Sequence, residues 1–135
     1  AESIKRYQNR ISGPLLDRID LHIDVPPLKS QDLQDPKPVE TSETVRARVI
    51  DAYHLQIKRQ GFLNQALTPQ QLEIYALLDE SSQNILAMAQ QRLNLSARAY
   101  HRILRVARTI ADLSLSEKIQ SSHLTEALSY REQNN

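Results

Sequence analysis

The sequence predicts a mainly α fold, a small bundle of four to five helices over residues 42–131, preceded by a short helix and one β-strand that lacks a partner. Three observations carry this reading. Apolar residues recur at three- and four-residue spacing through the C-terminal part of the chain, capping residues stand at the head of each such stretch, and a period-two pattern is confined to residues 19–25. Hydrophobic residues at 40%, charged residues at 24% and a net charge of +1 place the 135 residues among soluble globular chains able to bury one core.

Composition excludes several kinds of chemistry. The absence of Cys removes disulfides, thiolate metal sites and a Cys nucleophile together, and suits a reducing cytoplasm. No apolar run approaches the roughly 20 residues that span a bilayer and no signal pattern opens the chain, so a cytoplasmic protein without a membrane partner is expected. Gly13 and Gly61 are the only glycines, which leaves no Gly-rich phosphate loop of the Walker or dinucleotide kind. With Met88 the only methionine, and a motif already under way at Ile4–Tyr7, the chain is expected to be a piece of a longer protein.

Taken in order, Ser12-Gly13-Pro14 starts a short helix over Pro14–Arg18, because Ser caps the free amides and an early Pro sacrifices no needed N–H. Ile19, Leu21, Ile23 and Val25 then alternate with Asp20, His22 and Asp24, a strand pattern stopped by Pro26-Pro27. One strand needs a sheet, and no second strand is evident. Residues 4–25 are therefore expected to be mobile, or to pack on the bundle in place of the missing sheet. The boundaries drawn are a unit over 1–27, a polar linker over 28–41, the bundle over 42–131 and a tail over 132–135.

Within the bundle, Thr41 or Ser42 caps a helix over 43–60 with Val45, Val49, Ala52, Tyr53 and Ile57 at helical spacing, and Gly61 ends it. Thr68-Pro69 starts a short helix to Tyr75. Asp79 caps the next, with Ile85, Leu86, Ala89 and Leu93 inward and Asn94 at its end. Ser96 caps a long helix to Leu113 whose core face is Ala99, Ile103, Val106, Ala107 and Ile110. Ser121 or Ser122 opens the last helix, to Arg131.

The Ser96 helix also carries a basic stripe. Arg98, Arg102 and Arg105 recur at helical spacing with His101 and Arg108 beside them, and no Asp or Glu falls between Ser96 and Ala111. Like charges at that spacing repel, so a compensating partner is expected: a nucleotide, a nucleic acid, an acidic protein, or acidic residues such as Asp79, Glu80 or Glu117 on neighbouring helices. Arginine rather than lysine throughout suits bidentate contact with phosphate.

Two stretches, RISGPLLDRIDLHIDVP at 10–26 and LSARAYHRILRVARTIADL at 95–113, resemble the C-terminal part of the magnesium-chelatase-like AAA+ ATPases of the ComM group, also called YifB. The ending, Ile119 and then HLTEALSYR at 123–131, is similar to that family's closing lid helix. The resemblance implies a helical lid following an ATPase core, with ATP and Mg²⁺ as cofactors of the full-length protein and none expected on these residues alone. It implies that Arg18 is an arginine finger offered to ATP on a neighbouring subunit and that Arg98 is the sensor 2 arginine for the γ-phosphate. Its partners would be its own N-terminal core, neighbouring subunits of a homo-hexamer, and DNA, on which ATP-driven branch migration in natural transformation would act. Porphyrin metallation, which the family name suggests, is supported by no residue here.

A cation in the first turn of a helix opposes the macrodipole, so Arg98 needs a purpose on physical grounds as well. The competing function is an independent helical module that binds nucleic acid through Arg98, Arg102, Arg105 and Arg108. A purely structural interaction domain is a third possibility. Asp20, His22 and Asp24 on one strand face are set aside as a metal site, because such alternation is common by chance, and the scattered Tyr residues and Phe62 form no stacking platform.

Overall fold

The structure, a computed structural model, describes residues 3, 6, 7, 10–34 and 38–131. The Ile4 end of the opening motif and the tail 132–135 lie outside the described residues. Helix α1 spans Gly13–Asp17, α2 Ser30–Gln34, α3 Ser42–Gln60, α4 Pro69–Tyr75, α5 Glu80–Leu93, α6 Ala97–Leu113 and α7 Ser121–Ser129, with a 3₁₀ turn at Asn64–Ala66. Among the described residues there is no strand.

The helix boundaries follow from their caps. Ser12 Oγ accepts from the Leu15 amide at 3.3 Å, and Thr41 Oγ1 from the Thr44 amide at 3.2 Å. Thr68 accepts from the Gln71 amide while the Gln71 side chain accepts from the Thr68 amide, a reciprocal capping box. Asp79 accepts from the Ser82 amide at 2.7 Å, and those Ser82 hydrogen bonds hold its carboxyl below the ordinary carboxylate range. Gly61 at φ 85° and Asn94 at φ 48° close α3 and α5 in the left-handed conformation that these two residue types tolerate best. At α7 the cap is Gln120, whose amide donates to His123 Nδ1 at 3.0 Å, one residue before the expected serines.

Helix α6 is the axis of the bundle. It packs on α7, α3, α4 and the 3₁₀ turn, while α5 packs on α7. The shared core contains Leu67, Leu72, Leu86, Ile103, Leu124 and Leu128, with Ala107 and Ala111 of α6 fully buried. Of the expected inward faces of α5 and α6, Leu86, Ala89, Ala99, Ile103 and Ala107 are buried, and Ile85, Leu93, Val106 and Ile110 are half-buried.

Two expectations are corrected. In α3 only Ala52 and Gln56 are buried, while Val45, Val49, Tyr53 and Ile57 are exposed. The C-terminal half of α3 meets the bundle; the N-terminal half extends past it. Residues 19–25 carry the strand pattern but form no ladder, because a strand without a neighbour has no partner for its backbone groups. The segment lies against the bundle instead, the His22 amide donating to Tyr130 O at 2.9 Å, and its apolar side chains remain exposed, to 82% at Val25. The polar linker gains one feature beyond expectation, the short α2, all of whose residues are exposed.

Polar groups lock α3, the 3₁₀ turn and α6 together at Asp112, which is 1% exposed. Arg59 donates to both carboxylate oxygens, at 2.7 and 3.0 Å. Arg108 donates to Oδ1 from Nε at 3.2 Å and from Nη2 at 2.9 Å. Asn64 Nδ2 donates to Oδ2 at 2.9 Å, and the Asn64 amide donates to buried Gln56 at 2.8 Å. Removing one member of a buried ionic network leaves the others desolvated and unpaired. Asp112→Ala is therefore expected to cost about 3–5 kcal/mol in a urea titration, and the partly exposed Arg59→Ala distinctly less.

Candidate functional site

The four arginines of α6 share one helix, yet the fold gives each a different environment. Arg98 sits in the first turn, directly after the Ser96 cap whose Oγ accepts from the Ala99 amide at 3.1 Å. Its side chain is exposed and, among the described residues, engages no ion pair or hydrogen bond. His101 is half-buried and meets Tyr100 edge-on, with ring centroids 5.6 Å apart. Arg102 is paired with Asp20, and Arg105 donates from Nε to Leu67 O at 2.9 Å. Burial, followed by the repulsion of Arg102, pulls the Arg105 pKa below the ordinary arginine range.

Arg108 departs from the expected surface stripe. It is 3% exposed and donates to Asp112, to Ser116 O at 2.8 Å and to Glu117 O at 3.0 Å. The chain leaving α6 folds back over its guanidinium, while Asp112, one turn further on, supplies the neutralising charge. Arg108 is therefore removed from the set of possible nucleic-acid contacts. The acidic partners that the stripe finds are Asp20 and Asp112, and Glu117 contributes its backbone carbonyl.

Arg18 ends α1 and is likewise exposed, with no side-chain ion pair or hydrogen bond among the described residues. The acidic residues on either side of it are engaged. Asp17 Oδ2 accepts from Ser96 Oγ at 2.9 Å, and Arg131 lies 3.7 Å from Asp17 Oδ1. Asp20 pairs with Arg102. His22 Nε2 lies 3.2 Å from Leu16 O, within the same turn. The fold thus brings the Arg18 turn to the end of α6 that carries Arg98, across a cleft of about 350 Å³ whose lining includes Leu16, Asp17, Ser96 and Arg131.

Chemically this end of the molecule offers cations and the N-terminus of a 17-residue helix, a combination suited to anionic oxygen. It offers no phosphate cradle, since Gly13 starts α1 and Gly61 closes α3. No group of His, Asp and Glu that could hold a metal exists among the described residues, and Asp20, His22 and Asp24 form none.

Sequence reasoning missed Asp17 and Arg131 as partners, which are far apart in the chain, and missed Arg59 and Asn64 as ligands of Asp112. Only the spacing of Arg108 and Asp112, one helical turn apart, was available as a signal.

The family described as "Magnesium chelatase, subunit ChlI C-terminal" matches residues 39–131, and that described as "Magnesium chelatase, subunit ChlI" matches residues 1–33. The chain is 45% identical over 131 residues to the competence protein ComM of Haemophilus influenzae, covering 96% of this chain and 26% of that protein. It is 43% identical to YifB of Salmonella typhimurium and 42% identical to YifB of Escherichia coli, with the same coverage. The chain spans about a quarter of the length of these curated relatives. A family match over the whole bundle and more than half of the chain, together with these identities, shows that the chain belongs to the magnesium chelatase ChlI C-terminal family and is a ComM- and YifB-like member of it.

Proposed function

We propose that this chain is the lid, with the preceding finger-bearing turn, of a ComM-like AAA+ ATPase that remodels DNA. In this reading Arg18 is the arginine finger for ATP on a neighbouring subunit, and Arg98 is the sensor 2 arginine for the γ-phosphate in its own subunit. ATP with Mg²⁺ supplies the phosphoryl group whose transfer drives the work. The partners are the ATPase core, neighbouring subunits of a homo-hexamer, and DNA undergoing branch migration.

The observation that carries this reading is the division of labour among the arginines. Arg102 and Arg108 are paired with carboxylates and Arg105 is bound to a backbone carbonyl, whereas Arg18 and Arg98 at the same end of the bundle are exposed and have no partner among the described residues. A guanidinium held in the first turn of a helix gains nothing from the local dipole, and gains much from a phosphate oxygen placed there. Rigid attachment of Arg98 to α6 means that any hinge movement of the bundle carries that charge with it. A trans arginine neutralises charge that builds up on the transferring phosphoryl group, with an effect of roughly 10³ to 10⁵ on turnover.

The alternative, an independent nucleic-acid module built on the stripe, is weakened by the same pairing, because the number of free cations sets the strength and salt slope of phosphate binding. Two measurements test the proposal. In the longer protein carrying this chain, Arg18→Ala is expected to lower ATP turnover by roughly 10³-fold or more, and Arg98→Ala to lower it as well; near-normal turnover in both refutes the assignment. With the 135 residues alone, a salt titration against labelled duplex is expected to give weak binding of shallow slope, and a steep slope would favour the nucleic-acid module.

A further inference from the structure

The turn that carries Arg18 is held to the bundle by polar contacts more than by apolar packing. Leu16 is half-buried against the bundle, while Leu15, Ile19, Leu21 and Ile23 are exposed. The polar contacts, in contrast, are specific and fall on both sides of Arg18. On one side Asp17 accepts from Ser96 Oγ at 2.9 Å, and the Arg131 guanidinium lies near its carboxylate at 3.7 Å and its carbonyl oxygen at 3.5 Å. On the other side Asp20 pairs with Arg102, and two residues later the His22 amide donates to Tyr130 O at 2.9 Å.

These contacts are unusual in where they land. Ser96 is the cap of α6, so its hydroxyl accepts from the Ala99 amide while donating to Asp17, and the Asp17 carboxylate supplies negative charge at the positive end of α6. Arg102 lies one turn beyond Arg98 on the same helix. Arg131 follows α7, and its side chain is buried to all but 7%, with its Nε without a hydrogen-bond partner among the described residues. For this desolvated guanidinium Asp17 supplies the neutralising charge, 3.7 Å away.

We propose that Asp17 and Asp20 form a two-point latch that ties the Arg18 turn to the Arg98 end of α6, making both carboxylates positioning residues for the finger. The proposal rests on the reading of Arg18 as a finger. Its consequence is mechanical: displacement of α6 pulls Asp17 and Asp20 together with Ser96 and Arg102, and Arg18 moves with the turn between them. The state of the nucleotide beside Arg98 is thereby passed to the group presented to the neighbouring subunit.

The His22 amide reports the latch without reference to ATP. In this chain Asp17→Asn combined with Asp20→Asn is expected to speed hydrogen exchange at His22 by about three- to tenfold, while the amides of buried Ile103 and Leu124 are unaffected. Asp20→Arg alone is expected to do the same, and adding Arg102→Asp to restore protection by re-forming the pair with reversed charges. Unchanged exchange at His22, or no recovery in the exchanged pair, overturns the latch.

Turnover in the longer protein then separates the latch from the finger. If Arg18→Ala lowers kcat and Asp17→Asn with Asp20→Asn lowers kcat while leaving KM for ATP unchanged, the positioning role stands. If Arg18→Ala lowers kcat and the paired Asp variants leave it intact, the positioning role is refuted although the finger survives. If Arg18→Ala itself leaves kcat intact, the finger reading fails, and the positioning role fails with it.

Discussion

A buried carboxylate with two arginines on it fixes the geometry of this molecule. Asp112 accepts from Arg59 of α3, from Arg108 of its own helix and from Asn64 of the 3₁₀ turn. Asp112, Arg108 and Asn64 are buried and Arg59 is partly exposed, so none of the buried groups can leave without leaving the others desolvated and unpaired. The arrangement ties the C-terminal half of α6 to α3 and leaves the N-terminal half, where Arg98 lies, free of that network. Apolar packing around Ala107 and Leu124 supplies the bulk of the burial; the Asp112 cluster selects which face of α6 turns toward α3.

From that fixed end the charges of α6 acquire different duties along its length. Arg108 is structural, Arg105 stitches the helix to the Leu67 carbonyl, Arg102 reaches across to Asp20, and Arg98 is presented outward. A helix with a uniformly basic side would repel itself. Here the repulsion is relieved one residue at a time, by Asp112, by backbone carbonyls and by Asp20, until one arginine remains at the helix start. Arg18 is presented in the same manner by a turn whose neighbouring acids are both spoken for.

Much of the bundle was legible in the sequence because caps and apolar periodicity are local. Thr41, Thr68, Asp79 and Ser96 stand where the structure uses them, and Gly61 and Asn94 close their helices with left-handed backbone. Depth was not legible. The apolar positions Val45 and Val49 continue a helical stripe that runs past the bundle, and nothing local says where the bundle ends. The alternation at residues 19–25 encodes a strand, but a ladder is a property of two segments, and the segment instead lies along Tyr130. At the candidate site the motifs drew attention to Arg18 and Arg98, whereas the linkage of their two segments through Asp17 and Ser96 joins residues 79 apart and had no sequence signal. The stripe misled at Arg108 because its neutralising Asp112 lies just beyond the stretch that looked uniformly basic.

In the proposed reading Arg18 acts on a neighbour's nucleotide. The most direct measurement mixes two inactive forms of the longer protein, one carrying Arg18→Ala and one with its phosphate-binding loop disabled, and follows ATP turnover in the mixed assemblies. A finger acting between subunits predicts recovered turnover, since an intact Arg18 can then face an intact loop across a shared interface. No recovery above the sum of the separate forms, in mixtures shown to co-assemble, would contradict the account.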